Sequence, residues 1–269
     1  MGARRWDKFT TVDTSLFDRF RPVFESDAAP EAQDPRLLID SDTDQGIAIY
    51  YSPFDYVAPS PRLVLLGVTP GSEQAEQANH ALWQELRQGT TVGDSLRSAK
   101  LAGAFRTEPL RTNLLRQLED WRVHEWLGLD SPEDILTTAQ EQGTVHVTSS
   151  LRYPTFKAGK VYGGGTPKIL DKGLLRRHFI DYLCSETPLW GDAVVLPLGK
   201  EAVMVSDALT ARGALRRENV YPGLMNPSKN NLYRLEWILG DRTEKRPSLT
   251  DPASYDTGRE RFRRARLES

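Results

Sequence analysis

The sequence predicts an α/β fold, a three-layer αβα sandwich around a central, mainly parallel sheet of four strands. Continuous apolar runs, such as residues 62–68 (RLVLLGV) and 193–198 (AVVLPL), are typical of strands buried on both faces. These runs alternate with segments of helical periodicity, which favours a parallel sheet covered by helices. A chain of 269 residues is long enough to bury one large core.

Residues 1–60 are predicted to form an N-terminal cap. Residues 11–24 indicate a short helix ended by Pro22. Two apolar runs on either side of residues 42–46 (DTDQG) indicate a hairpin. The first residues, MGARRWDKF, carry two arginines with no apolar run behind them, so we expect no secretory signal.

Residues 61–240 are predicted to form the α/β domain, and residues 241–269 a basic C-terminal tail. The four strands are predicted at residues 62–68, 144–150, 193–198 and 216–221. The helices are predicted at residues 72–88, 107–121, 131–143, 168–183, 200–212 and 230–239. Ligands of parallel sheets bind beyond the carboxyl ends of the strands. We therefore expect the chemistry in the segments that follow them, residues 69–74, 149–165, 198–200 and 222–231.

Composition excludes several classes of protein. No window of 18 apolar residues occurs, so we expect no membrane span. The single cysteine, Cys184, excludes an internal disulfide framework and any multi-cysteine metal site. The four histidines are scattered without metal-ligand spacing. We therefore expect a cytoplasmic protein without a metal or cofactor, and a monomer, because nothing in the sequence demands a dimer.

The net charge of −2 hides an uneven distribution along the chain. Residues 25–55 carry eight acids and one base, whereas residues 151–178 carry seven bases and one acid. Residues 259–266 add five arginines against one glutamate. The basic middle run also contains three aromatic residues, a mixture that suits a phosphate backbone and a stacked base. The alternatives are solvated charged faces and, for the tail, a frayed basic helix.

The segment after the first core strand is Gly67-Val68-Thr69-Pro70-Gly71. Its two glycines and proline indicate a tight turn into a helix, where backbone N–H groups suit an anion or a carbonyl oxygen. It lacks the GK[ST] ending of a phosphate loop. A plain strand-to-helix turn is the alternative interpretation.

A second polar segment, residues 222–231 (PGLMNPSKNN), follows the last predicted strand. Asn226 can donate and accept hydrogen bonds, and Ser228 can bind a phosphate or cap the next helix. The alternative is an ordinary Asn-Pro turn with a serine cap.

Together, GVTPG and LMNPS resemble the two motifs of the uracil-DNA glycosylase superfamily. The resemblance is closest to the mismatch-specific thymine/uracil branch, with its GINPG-type first motif and MPNPSG-type second motif. Residues 145–152 and 193–202 resemble the strands between them, and the similarity covers roughly residues 45–240.

The resemblance implies excision of a damaged, mismatched or modified pyrimidine from DNA by hydrolysis of the N-glycosidic bond, leaving an abasic site. The target base must be flipped out of the duplex. Such an enzyme needs donors aimed at a base carbonyl, an oriented water and a surface that stacks on the base. It implies DNA as the partner and requires no metal.

Thr69 occupies the position at which the resembled branch has a water-orienting asparagine, and other branches an aspartate. A threonine hydroxyl can hold a water but is a poor base, so Glu73, one turn further on, is a candidate for that role. Asp42, Asp44 and Asp55 are other candidates, although each acid can equally be a surface or helix-start residue. The remaining motif residues would contact the base: Gly67, Val68, Pro70 and Gly71.

Asn226 matches the polar residue of the second motif, which would contact the flipped nucleotide or the water. Ser228 would contact a backbone phosphate. The positions at which the family inserts a wedge into the duplex are here polar: Lys229, Asn230 and Asn231. Phe105 is a candidate for the ring that stacks on the base, with an ordinary core residue as the alternative.

Residues 153–167 form an insertion containing Tyr162, a run of three glycines from Gly163, and two lysines, Lys157 and Lys160. It is expected to line the pocket or grip the strand, or else to be a flexible surface loop. Ser149 stands where several branches read the base with asparagine. Its small side chain and the glycine run suggest a base bulkier than uracil, such as a substituted cytosine.

Two other hypotheses remain open from the sequence. One is a non-catalytic reader of the same fold, in which Thr69 marks the loss of the water-positioning group. The other is an unrelated α/β domain that binds a nucleotide or other small molecule.

Overall fold

The structure is a computed structural model that describes residues 12–248 and 250–268. The predictions for MGARRWDKF and for Thr11 lie outside the described residues. The strands are β1 (Leu38–Asp42), β2 (Ile47–Tyr50), β3 (Leu63–Gly67), β4 (Val145–Ser149), β5 (Thr155–Lys157), β6 (Lys160–Val161) and β7 (Val194–Pro197). Helices and a parallel sheet in one chain confirm the α/β class.

Eleven α-helices lie within the described residues. They are α1 (Ser15–Phe24), α2 (Ser72–Arg87), α3 (Val92–Gly103), α4 (Leu110–Asp120), α5 (Val123–Leu127), α6 (Thr138–Glu141), α7 (Leu174–His178), α8 (Cys184–Glu186), α9 (Lys200–Ala211), α10 (Leu232–Ile238) and α11 (Pro252–Arg266). In this described part of the chain, none of them has the length and hydropathy of a membrane span.

The chain folds as two compact units, each built from three stretches of sequence. Unit one comprises residues 12–59, 68–104 and 148–190. Unit two comprises residues 60–67, 105–147 and 191–268, residue 249 aside. The domain boundaries predicted at residues 60 and 240 stay predictions.

Unit two contains the parallel sheet, with three strands in the order β4-β3-β7. β3 and β7 pair in register from Leu63↔Val194 to Leu66↔Pro197. Every residue of both strands is buried, as their continuous apolar runs predict.

The fourth predicted strand is wrong. Residues 217–219 form a 3₁₀ turn, and only an isolated parallel bridge links Val220 to Val195. Tyr221 donates its backbone N–H to the Val195 carbonyl at 3.0 Å. The preceding residues are charged, so they cannot extend a strand that is buried on both faces. Among the described residues the parallel sheet therefore has three strands, with this single bridge where a fourth was predicted.

The predicted helices of unit two are shorter than their sequence patterns. α4 forms inside residues 107–121 with Leu114, Leu115 and Leu118 buried. The helix predicted from Ser131 splits into a 3₁₀ helix, Pro132–Leu136, and α6.

The basic tail contains a helix, α11, which packs through Tyr255, Gly258 and Phe262. Arg259 donates to the Asp120 carboxylate at 3.0 Å, and Arg261 donates to the Val220 carbonyl at 3.1 Å. These arginines fasten the helix to its own unit, so the tail is not a frayed basic helix.

Unit one contains an antiparallel sheet in the order β1-β2-β5-β6. β1 and β2 form the hairpin predicted around residues 42–46. The insertion contributes β5 and β6, joined by a tight turn in which Ala158 and Gly159 have positive φ. Because β2 pairs with β5, the N-terminal hairpin and the first part of the insertion, residues 155–161, form one sheet.

The helix predicted over residues 168–183 begins only at Leu174, after Gly173 with φ +129°. α7 continues into a π-helix over Phe179–Leu183. π-helical turns occur frequently at functional sites. α3 was not predicted, and it packs closely on α2: a Cβ at Gly103 would lie 2.6 Å from the Gln74 carbonyl oxygen.

Candidate functional site

The GVTPG turn follows β3, and the hydroxyl of Thr69 is engaged within unit one. Thr69 Oγ1 donates to the Tyr153 carbonyl at 3.0 Å and accepts from the Thr155 backbone N–H at 3.0 Å. This bridge ties the turn to the start of β5. The hydroxyl proton is therefore committed, and one lone pair remains to accept a further hydrogen bond.

The other residues of the GVTPG turn are also held in place. The Val68 carbonyl accepts from the Leu151 N–H at 2.9 Å, and Pro70 is buried. The Gly71 N–H is one of the backbone groups predicted to suit an anion or a carbonyl oxygen. It donates instead to Gln74 Oε1 at 2.9 Å. Gln74 Nε2 in turn donates to the Gly103 carbonyl at 3.1 Å. Glu73 is exposed in the first turn of α2.

A buried carboxyl, Asp55, lies in unit one on the segment after β2. Its two oxygens accept hydrogen bonds from the hydroxyls of Tyr51, at 2.8 Å, and Tyr153, at 2.6 Å. Burial raises the pKa of Asp55 to about 6, although the two tyrosine bonds oppose that shift. The same environment raises the pKa of both tyrosines, so they stay neutral donors.

Lys100 of α3 holds the backbone on both sides of Asp55. Its buried Nζ donates to the Tyr56 carbonyl at 2.6 Å and to the Phe54 carbonyl at 3.4 Å. Burial lowers the pKa of Lys100 to about 8. Asp55 is thus fixed through both its side chain and its neighbouring peptides.

A buried ion pair completes this polar cluster. Arg152 and Glu186 are both fully buried and approach to 2.9 Å. Arg152 also donates to the Tyr182 carbonyl of the π-helix at 3.0 Å. Burial is the largest influence on Arg152 and opposes its charge, but the surrounding groups, with Glu186 foremost and then Tyr153 and Asp55, together outweigh burial and raise the Arg152 pKa. A buried carboxyl that titrates near neutrality beside fixed charges is typical of functional sites and of structural ion networks.

In unit two, the loop over residues 222–231 packs tightly around Asn226. Gly199 has φ +89°, and a Cβ there would lie 2.9 Å from the Asn226 Cβ. The Gly199 N–H donates to the Leu224 carbonyl at 2.9 Å. Asn226 Oδ1 accepts from the Ser228 N–H at 3.0 Å, which fixes the side-chain amide. Among the described residues, none accepts a hydrogen bond from Asn226 Nδ2.

Two buried amides of α4 hold this loop. Gln117 Oε1 accepts from the Met225 N–H at 2.7 Å, and Gln117 Nε2 donates to the Met225 carbonyl at 3.3 Å. Asn113 Nδ2 donates to the Pro227 carbonyl at 3.0 Å. Sequence reasoning missed both residues. The sequence pattern that could have identified them is a pair of amides four residues apart, Asn113 and Gln117, among the leucines of α4.

The positions proposed to form a wedge and bind phosphate differ in exposure. Lys229 and Asn230 are exposed, and Ser228 is half-buried. Asn231 turns inward and donates to the Asn226 carbonyl at 3.0 Å and to Ser228 Oγ at 3.4 Å. Asn231 thus closes the loop, which leaves Lys229 and Asn230 as its projecting side chains.

The predicted stacking aromatics lie inside their units. Phe105 of unit two is 6% exposed and has φ +50°, and Tyr162 of unit one is 2% exposed. Ser149 is half-buried at the end of β4. Gly163 is exposed, and a Cβ there would meet no atom within 4 Å.

The acidic and basic runs fold together in unit one. Arg177 pairs with Asp40 at 3.2 Å, and Asp42, Lys168 and Lys172 line one small cavity. Lys157 is exposed and donates to the Thr166 carbonyl. Lys160, Lys168 and Lys172 of the basic run are also exposed, and they form no ion pair within the described part of the chain.

Within residues 12–248 and 250–268, no group of three or more His, Cys, Asp or Glu side chains is placed to hold a metal ion.

One comparison with known proteins gives a relative. The chain is 29% identical over 192 residues to the "Uncharacterized protein YoxB" of Bacillus subtilis (strain 168), which covers 71% of this chain and 74% of that protein. No family model matches the chain, and no solved structure matches it.

Proposed function

We propose that this chain is a DNA glycosylase of the uracil-DNA glycosylase type, which flips out an altered pyrimidine and hydrolyses its N-glycosidic bond. The observation that carries the proposal is the Asn226 loop. Its asparagine is fixed through Oδ1, while its Nδ2 hydrogens have no acceptor among the described residues. A donor fixed in this way suits the carbonyl oxygen of a leaving base, on which negative charge develops.

The superfamily's four-stranded sandwich is part of this proposal. The bridge between Val195 and Val220 lies where its fourth strand would pair. Loop residues 222–231 would then follow the end of that strand, as ligand-binding loops of parallel sheets do.

Water orientation is assigned to Thr69, and water activation to Glu73. The Thr69 hydroxyl donates to Tyr153, so it can only accept a hydrogen bond from a water and cannot remove its proton. The sugar becomes oxocarbenium-like in glycoside hydrolysis, so an oriented water needs only modest help from a base. Glu73 is the exposed carboxylate nearest in sequence to this turn.

Asp55 is assigned a positioning role rather than contact with the substrate. Its carboxyl is fully buried, and both oxygens are occupied by tyrosine hydroxyls. Tyr153, which Asp55 holds, also supplies the carbonyl that accepts from Thr69. Asp55 would therefore keep the Thr69 turn in place.

The proposed substrate is a pyrimidine bulkier than uracil, such as a substituted cytosine. Ser149 offers a small side chain at the base-reading position, and the surroundings of Gly163 are open. The partner would be duplex DNA with one flipped nucleotide, bound by a monomer. Lys160, Lys157, Lys229 and Asn230 are exposed and would face its phosphates and bases.

The experiment is a panel of duplex oligonucleotides that carry uracil, thymine mismatches, hydroxymethylcytosine or glycosylated cytosine. Strand breakage is scored before and after alkali. We expect breakage only after alkali, with a bulky cytosine released faster than uracil. Uracil as the best substrate would contradict the substrate assignment.

A non-catalytic reader of altered DNA is the second candidate, favoured by the committed hydroxyl of Thr69. It predicts binding that weakens with salt and no release of base from any duplex. The same panel, with binding measured beside breakage, separates the two functions.

A further inference from the structure

We propose that Gln117 and Asn113 are positioning residues that set the place of the Asn226 side chain. The inference rests on the proposed function, in which Asn226 contacts the flipped nucleotide. Both residues belong to α4 and are buried, at 0% and 2% exposure. Neither matches either of the two motifs that the resemblance identifies.

The two amides grip the peptides on both sides of Asn226. Gln117 makes paired hydrogen bonds to the N–H and carbonyl of Met225, as a neighbouring strand would. Asn113 donates to the carbonyl of Pro227. The residues before and after Asn226 are thus held by one rigid helix.

Gln117 also bonds to its own helix, because its Nε2 donates to the Asn113 carbonyl at 3.2 Å. This contact orients the Gln117 amide before it meets the loop. Both amides lie beside the buried leucines of α4, where an apolar side chain would pack without needing a partner. The loop's backbone N–H and carbonyl groups have no neighbouring strand to pair with. Hydrogen bonding to these groups explains why Gln117 and Asn113 are amides rather than apolar residues.

Loss of the Gln117 bonds would loosen the loop without removing the donor on Asn226. The Ser228 contact that orients the Asn226 amide would survive. A displacement of about 1 Å at a catalytic group costs about 10²-fold in rate. We therefore expect Gln117→Met to reduce base release by about 10- to 100-fold, with a change of less than about 3-fold in DNA affinity.

The test compares Gln117→Met with Gln140→Met in full-length protein. Gln140 is another buried glutamine of unit two, and it donates no hydrogen bond to loop residues 222–231 among the described contacts. Both substitutions remove a buried amide, so the pair separates loss of stability from loss of positioning. Base release is measured with enzyme in excess, and hydrogen exchange is measured at the Met225 amide.

Two further variants keep the test decisive if Gln117→Met folds poorly. Asn113→Asp removes the donor to Pro227 with little change in shape. Gln117→Glu, when protonated, restores both a donor and an acceptor to Met225, so its release rate relative to wild type should rise as pH falls. Ionisation of a buried carboxyl also changes stability, so the folded fraction is measured at each pH, and a purely structural role would leave the release rate per folded molecule unchanged.

The expected result is slow release and fast Met225 exchange in Gln117→Met, with both properties near wild type in Gln140→Met. Release by Gln117→Met within about 3-fold of wild type would overturn the inference, since displacement should cost more. A wild-type protein that releases no base overturns the proposed function instead. In that case, rapid exchange at Met225 in the wild type would separately overturn the positioning geometry.

Discussion

Asp55 is the residue whose environment makes the sharpest prediction. Its pKa rises from 3.8 to about 6 through burial. Since the folded protein holds the proton more tightly than the unfolded chain, this contribution to stability is complete below about pH 4 and is lost as pH rises through about 6. This rise in the pKa of Asp55 corresponds to about 3 kcal/mol.

Asp55→Asn should therefore stabilise the protein relative to wild type by about 2–3 kcal/mol more at pH 7.5 than at pH 4. The neutral amide is never forced to ionise inside the unit. The check is urea unfolding of both proteins at the two pH values. An equal difference in the free energy of unfolding at both pH values would contradict the burial of an ionisable Asp55.

Asn226→Asp separates the two tasks of this side chain. The carboxylate keeps the oxygen that accepts from the Ser228 N–H, but it loses the Nδ2 donor. Base release should fall by about 10²-fold or more, because an oxyanion donor becomes an acceptor. The melting temperature should stay close to wild type.

Ser228→Ala is the matched control for Asn226→Asp, since it leaves the backbone N–H that Asn226 accepts from. We expect a much smaller loss of base release. Equal rates of base release by Asn226→Asp and wild type in a single-turnover assay would show that the Asn226 amide does not take part in that step.

For single residues, the sequence identifies candidate site residues but not the tertiary contacts that surround them. Asp55 was one of several possible bases, and only the tertiary contacts with Tyr51 and Tyr153 distinguish it. Nothing local to GVTPG indicated that the Thr69 hydroxyl bonds to residues 84 and 86 positions further along the chain. Such contacts depend on the fold rather than on neighbouring residues.

Among the elements, α11 approaches the start of the Asn226 loop through Gly258. A Cβ at this position would lie 2.2 Å from the Pro222 carbonyl oxygen and 2.8 Å from the Trp121 ring. Gly258→Ala should destabilise the protein by about 1–3 kcal/mol, although alanine itself favours a helix.

Thr257→Ala, on the exposed side of the same helix, should change stability by less than about 0.5 kcal/mol. Chemical denaturation measures both variants. A Gly258→Ala protein as stable as Thr257→Ala would show that the helix does not pack closely on the loop.

Element prediction succeeded where one pattern dominated and failed where local signals competed. The continuous runs of β3 and β7 are strands, because each is apolar on both faces. Residues 216–221 are rich in charge and turn into a 3₁₀ helix with a single bridge. Gly173, with its positive φ, delays the helix predicted from residue 168.

For the whole molecule, the net charge of −2 conceals cations that share unit one with the acidic run. Arg177 is paired and Arg152 is buried, so fewer cations than the sequence suggested can meet a phosphate. Lys160 is exposed and without an ion pair in the described part of the chain.

Lys160→Ala should therefore weaken DNA binding and lower the slope of log affinity against log salt by about 0.9. Lys245→Ala, at an exposed lysine of unit two, should leave the slope unchanged. Titrations at several salt concentrations measure both variants. An unchanged slope for Lys160→Ala would show that Lys160 does not contact a DNA phosphate.

The most direct test of the proposed function is single-turnover base release from duplexes that carry altered pyrimidines. We expect a free base and a strand that breaks only after alkali, for at least one substituted cytosine. Intact strands after alkali in every duplex, with folded and DNA-binding protein, would contradict it.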